Sequence, residues 1–270
     1  MSDFSTKKIN NEVVKAVPLL AEKDNRPVKG AALFPEIYAN VFLCARKKSG
    51  KTSCIYKILQ KCCGPKTRIV AFCATLHKDP SWETIQTWAE HKGLPFIGHT
   101  SIIDEETKTD LLKELIQGLE QRDEPEEKKV KSILDDDSDS EEEPERPAKY
   151  QYPEYIFILD DLSDELKRPS VTTFLKKNRH FRAKILVSSQ YLNDLNPMAR
   201  KQLDYYILFG GNSEDKIEEV RKGAGMSISP ARFWQLYKFA TSDQFSFLYY
   251  DWADKSFRRN FNTLIDVPEE

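Results

Sequence analysis

Tyr155-Ile156-Phe157-Ile158-Leu159 is apolar at every position rather than at alternate ones. A strand of that kind has no wet face, so it belongs in a sheet covered by helices on both sides, the usual setting of parallel β-structure. Further buried strands are predicted at Asn40-Val41-Phe42-Leu43-Cys44, Arg68 to Ala74, Lys184 to Ser188 and Tyr205 to Phe209, with a short one at Pro95 to Gly98. Helical patterns alternate with them. Ile55, Ile58 and Leu59 fall at helical spacing between Thr52 and Cys63, and Gly64-Pro65 stops that segment. Other helices are expected from Pro80 to near Gly93, from about Asp104 to Gln121, near Asp164 to Lys177, at Glu214 to Lys222 and at Pro230 to Ala240. The chain closes with an expected strand at Phe245 to Tyr250 and a hairpin partner near Phe257 to Phe261. Such alternation specifies one α/β domain around a mainly parallel central sheet flanked by helices.

The 270 residues are 40% hydrophobic and 31% charged, and no run approaches the ~18 apolar residues of a membrane span. The N-terminus lacks the basic-then-apolar layout of a signal peptide. Cys44, Cys54, Cys62, Cys63 and Cys73 form no CxxC pair and have no histidine at metal-ligand spacing, so they read as reduced, buried thiols of a reducing intracellular compartment. Between Arg122 and Arg146 twelve acids face five bases, a local charge of −7 that leaves +5 on the rest of a chain whose formal net charge is −2. The expected organisation is an N-terminal arm over residues 1–31 and one domain over 32–270, interrupted by a disordered acidic insertion at about 123–149. The mildly basic body is compatible with a polyanionic partner.

Between the first buried strand and the first helix lies Ala45-Arg46-Lys47-Lys48-Ser49-Gly50-Lys51-Thr52. It follows G-x-x-x-x-G-K-[ST], the phosphate-binding loop, except that Ala45 replaces the first glycine. Loop N–H groups and a helix N-terminus form an anion nest, which Ser53 extends by one residue. Gly50 lets the chain approach closely, Lys51 is placed for β- and γ-phosphates, and Thr52 for magnesium. Arg46, Lys47 and Lys48 add positive charge, for phosphate or for nucleic acid. Gly-Lys-Thr alone is common. A second motif strengthens it: the Tyr155–Leu159 strand runs into Asp160-Asp161, and strand ends deliver side chains to the carboxyl edge where the loop also sits. Asp160 is the candidate magnesium ligand and Asp161 the candidate base for the attacking water; capping of the next helix is the alternative. Gln190, at the end of the next strand, is the candidate γ-phosphate sensor. Arg200, with Arg179 as competitor, is the candidate finger that reaches a neighbouring subunit's γ-phosphate.

Taken together, these segments, with Asn178-Arg179-His180, Ile185 to Tyr191 and Leu195-Asn196-Pro197-Met198-Ala199-Arg200, resemble the viral genome-packaging ATPases of the FtsK–HerA superfamily, in particular the poxvirus-type branch of large DNA viruses and virophages. The resemblance runs from about Ala32 to Phe209, with Ala45 and Lys48 standing where the family usually has glycine. It implies a RecA-like P-loop core binding ATP and Mg2+, assembly into a ring, a hexamer by expectation, and ATP-driven pumping of double-stranded DNA into a preformed capsid. Capsid or portal proteins are then partners, and the host cytoplasm, a viral factory or the virion the location. Lys176-Lys177, Arg179 and Arg182, or Arg258-Arg259, are the basic residues available for channel contacts. Two other readings stay open: a different P-loop NTPase, helicase-related, and a nucleotide-binding protein with little turnover.

Overall fold

The computed structural model describes residues 24–123 and 149–268. The arm up to residue 23 and nearly all of the acidic insertion lie outside the described residues.

Among the described residues, nine strands form one sheet, in the order β3-β2-β4-β5-β1-β6-β7-β8-β9. The first six in chain order are β1 (Asn40–Cys44), β2 (Arg68–Cys73), β3 (Phe96–His99), β4 (Tyr155–Asp160), β5 (Ala183–Ser189) and β6 (Tyr205–Phe209), and all run parallel. An antiparallel extension of β7 (Phe247–Asp251), β8 (Ser256–Arg259) and β9 (Thr263–Ile265) follows. Every residue of β1, β4, β5, β6 and β7 is buried, as strands without a wet face require.

Alternate side chains of each strand feed two core layers. Val41, Leu43, Ile158, Leu186 and Ile207 pack with Ile55, Ile58 and Leu59 of α1 (Lys51–Cys62) and with Trp82 and Ile85 of α2 (Pro80–His91). Phe42, Phe72, Phe157, Val187 and Leu208 face the opposite layer, built from α3 (Leu111–Asp123), α4 (Pro169–Lys176), the single turn α5 (Pro197–Arg200), α6 (Glu214–Gly223) and α7 (Pro230–Ala240). The α/β class with a mainly parallel sheet between helices is the class expected. All five cysteines are free and buried. Among the described residues, no helix is long and apolar enough to cross a membrane.

Three elements differ from expectation, each for a local reason. The helix expected from Asp104 starts at Leu111, because the Asp104 carboxylate accepts from the N–H groups of Glu106 and Thr107 and holds a turn instead. The helix expected at Asp164–Lys177 is a 3-10 segment, Ser163–Lys167, followed by α4. Pro169 forces the preceding Arg168 to an extended ψ of 145°, which breaks the run. Finally, β9 adds a third antiparallel strand that the hairpin reading did not include.

Candidate phosphate-binding site

β1 is the central strand of the nine-stranded sheet, between β5 and β6, so the loop that leaves it emerges at the carboxyl edge with neighbours on both sides. Ala45 continues the ladder by donating its N–H to Ser189 O at 3.2 Å. It lies outside the left-handed region and is buried, so the missing first glycine costs the loop no conformation it uses. The residues that do adopt positive φ are Lys48, at 63°, and Gly50, at 93°. Arg46 Nη1 donates to Gly211 O at 2.8 Å and ties the loop to the end of β6.

α1 begins immediately after Gly50 with no side-chain cap and no acid in its first turn. Its leading N–H groups therefore face the loop unsatisfied, with the positive end of the helix dipole behind them. A cavity of about 620 Å³ opens there, lined by Arg46 through Ser53, by Asp160 and Asp161, and by Thr75, Lys78, Asp79, Ser81 and Phe245.

Across it, Lys51 Nζ lies 2.6 Å from Asp160 Oδ1. Asp160, the last residue of β4, is 1% exposed, and Lys51 neutralises it. The other carboxylate oxygen accepts from Cys73 Sγ at 3.6 Å, the residue beside it in register at the end of β2. Burial, then the adjacent Asp160 carboxylate, pushes the Cys73 thiol up to about 11, so it stays protonated and donates. Asp161 stands at φ 57°, a conformation Asp tolerates better than most residues. The donor set suits magnesium: hard oxygens of Thr52 and Asp160 at an open cavity, with the Ser49 and Ser188 hydroxyls buried nearby and unpartnered.

Gln190 stands elsewhere. It lines a second cavity of about 520 Å³ together with Arg46 through Ser49, Gly210 and Gly211. Ser188, the register partner of Asp160, stands beside the acids, and its carbonyl accepts the Asp161 N–H at 3.4 Å. Neither arginine lines the cavity. Arg200 Nε donates to Leu195 O at 2.8 Å, and Arg179 pairs with Glu36 at 3.0 Å. Sequence reasoning missed Thr75, Lys78, Asp79, Ser81 and Phe245. The first four follow from β2 ending at the same edge; Phe245 had no signal.

A central loop between a parallel strand and a helix, with β4, the next strand but one in the sheet, ending in a buried acid across from the loop's lysine, defines the P-loop NTPase fold. Solved structures of that fold are similar to this chain. The genome packaging NTPase B204 of Sulfolobus turreted icosahedral virus 2 in complex with AMP aligns with a TM-score of 0.54 at 17% identity, over 86% of this chain and 100% of that one. Its complex with AMPPCP gives 0.52 at 18%, over 83% and 97%. B204, the DNA-packaging ATPase from Sulfolobus turreted icosahedral virus, gives 0.52 at 17%, over 82% and 95%. No family model and no curated protein matches the sequence.

Proposed function

We propose that the chain is an ATP-hydrolysing motor that moves double-stranded DNA into a viral capsid, working as a ring of identical copies. The observation that carries the hydrolase reading is the Lys51–Asp160 pair, 2.6 Å apart across a cavity headed by the unsatisfied start of α1. Likeness of fold to a packaging NTPase supports the motor.

When ATP enters, its phosphates replace Asp160 as the partner of Lys51, and the N–H groups at the start of α1 hold the β-phosphate. Thr52 and Asp160 would hold magnesium, which would supply charge neutralisation on the phosphates. Asp161 takes the proton of the attacking water, and Gln190, in the neighbouring cavity, is the proposed γ-phosphate sensor. Arg200 or Arg179 acts only on the site of an adjacent copy, since neither lines its own. Exposed Arg46, Lys47 and Lys48 strengthen the grip on phosphate.

Phosphate release by the full chain, measured with and without duplex DNA, tests both halves. Hydrolysis stimulated by DNA is expected, with at least a hundredfold loss in Lys51→Ala and in the Asp160→Asn/Asp161→Asn double variant. ATP binding without turnover under every condition would sink the hydrolase; turnover indifferent to DNA would sink the motor.

A further inference from the structure

We propose that the apolar cleft beside the P-loop receives the nucleotide base, and that it selects purines over pyrimidines without separating adenine from guanine. This rests on the triphosphate reading above.

The cleft measures about 650 Å³ and shares Gly50, Ser53 and Phe245 with the phosphate cavity. It therefore begins at the first turn of α1, at the residue following Thr52. Asp160 and β4 lie on one side of the loop, and the cleft lies on the other, over β6 and β7. A nucleotide whose γ end meets Lys51 and Asp160 has its base directed there.

The walls are mostly carbon, with Phe209, Phe245, Phe247 and Phe261 among them. Phe261 is fixed by ring contacts with Phe247 at 5.0 Å, Phe34 at 5.8 Å and Tyr249 at 6.0 Å. Phe245, at the mouth shared by both cavities, is 58% exposed and held at φ 65°. A large ring left in water on strained backbone is unfavourable twice over, and a flat ligand stacked on it recovers the apolar area.

Ser53, Lys57, Asn260 and Asn262 are the polar residues of the lining, and Asn260 is the amide that a hydrogen bond holds in place. Asn260 Oδ1 accepts the N–H of Phe247 at 3.1 Å, while the Asn260 N–H donates to Phe247 O at 2.9 Å. That bond fixes which way the amide is turned. Its oxygen is engaged, so the amide N–H2 is what Asn260 offers the cleft it lines. A donor suits the ring acceptors N1, N3 and N7 of adenine, and N3, N7 and O6 of guanine, equally well. Pyrimidines also present acceptors but offer less ring to stack.

Calorimetry on the full chain with magnesium tests this, using β,γ-methylene analogues of ATP, GTP, CTP and UTP and inorganic tripolyphosphate as probes. The two purine analogues should bind within about threefold of one another and about tenfold more tightly than the pyrimidines. Phe245→Ala, a change at an exposed ring, should abolish the purine preference and bring all four analogues within about threefold of one another. Asn260→Asp keeps an acceptor for Phe247 but presents a second acceptor to the cleft. It should favour the guanine analogue, which offers N1–H and N2–H2, by about fivefold or more. Equal binding of all four analogues by the unaltered chain, or a purine preference untouched by both variants, overturns the base cleft and leaves the triphosphate site standing. Failure of tripolyphosphate and every nucleotide to bind overturns the triphosphate reading, and this inference with it.

Discussion

Two buried side chains show how far single residues govern this molecule. Cys73 donates to the Asp160 oxygen that Lys51 does not hold. Removing that donor leaves a buried carboxylate short of a partner, a cost of about 1 kcal/mol. A magnesium titration of hydrolysis should show Cys73→Ala needing several times more metal, and Cys73→Ser behaving like the unaltered chain. Lys184 is the other. It lies wholly inside β5, donates to Glu36 O at 2.7 Å and sits 5.0 Å from the ring of Phe34. Burial depresses its pKa to about 8 from an unfolded 10.5. Between those values the unfolded chain carries the extra proton, so this group makes stability rise with pH there; below about pH 8 its full cost is present. Denaturation of the unaltered chain and of Lys184→Met across this range should show the difference between them shift in favour of the unaltered chain, by on the order of 3 kcal/mol at most.

Elements, rather than residues, were most legible in the sequence. The strands apolar at every position declared themselves because burial on both faces leaves no polar alternation to confuse them. Gly50-Lys51-Thr52 and Asp160-Asp161 could be placed at one edge because parallel strands all end there. What stayed hidden depends on contacts far apart in the chain. Ala45 drew notice as a departure from the glycine pattern, yet the conformational demand falls on Lys48 and Gly50. Phe245 and Asn260 reach the loop only through the pairing of β6 with β7 and of β7 with β8, which no local pattern encodes. That antiparallel extension shares the main core: Leu248 in β7 is fully buried opposite Leu208. Leu248→Ala should therefore destabilise the whole domain by about 3 kcal/mol in denaturant unfolding, in one transition rather than as local fraying of the extension.

At the scale of the molecule, the proposed motor requires copies to act together and DNA to be held by charge. If duplex DNA is gripped through its phosphates, its stimulation of hydrolysis should weaken steeply between about 50 and 200 mM salt, while the DNA-free rate changes little. Sedimentation with a non-hydrolysable ATP analogue should show a ring, and Arg200→Ala or Arg179→Ala should lower turnover without loosening nucleotide binding. The Lys51–Asp160 contact then acquires a meaning for the order of events in each cycle. A carboxylate already neutralised by its own lysine is poor bait for a bare cation, so magnesium has little reason to arrive ahead of the nucleotide. In the proposed cycle, the incoming phosphates would draw Lys51 away and expose the acid, and metal and nucleotide would then load as one ionic unit.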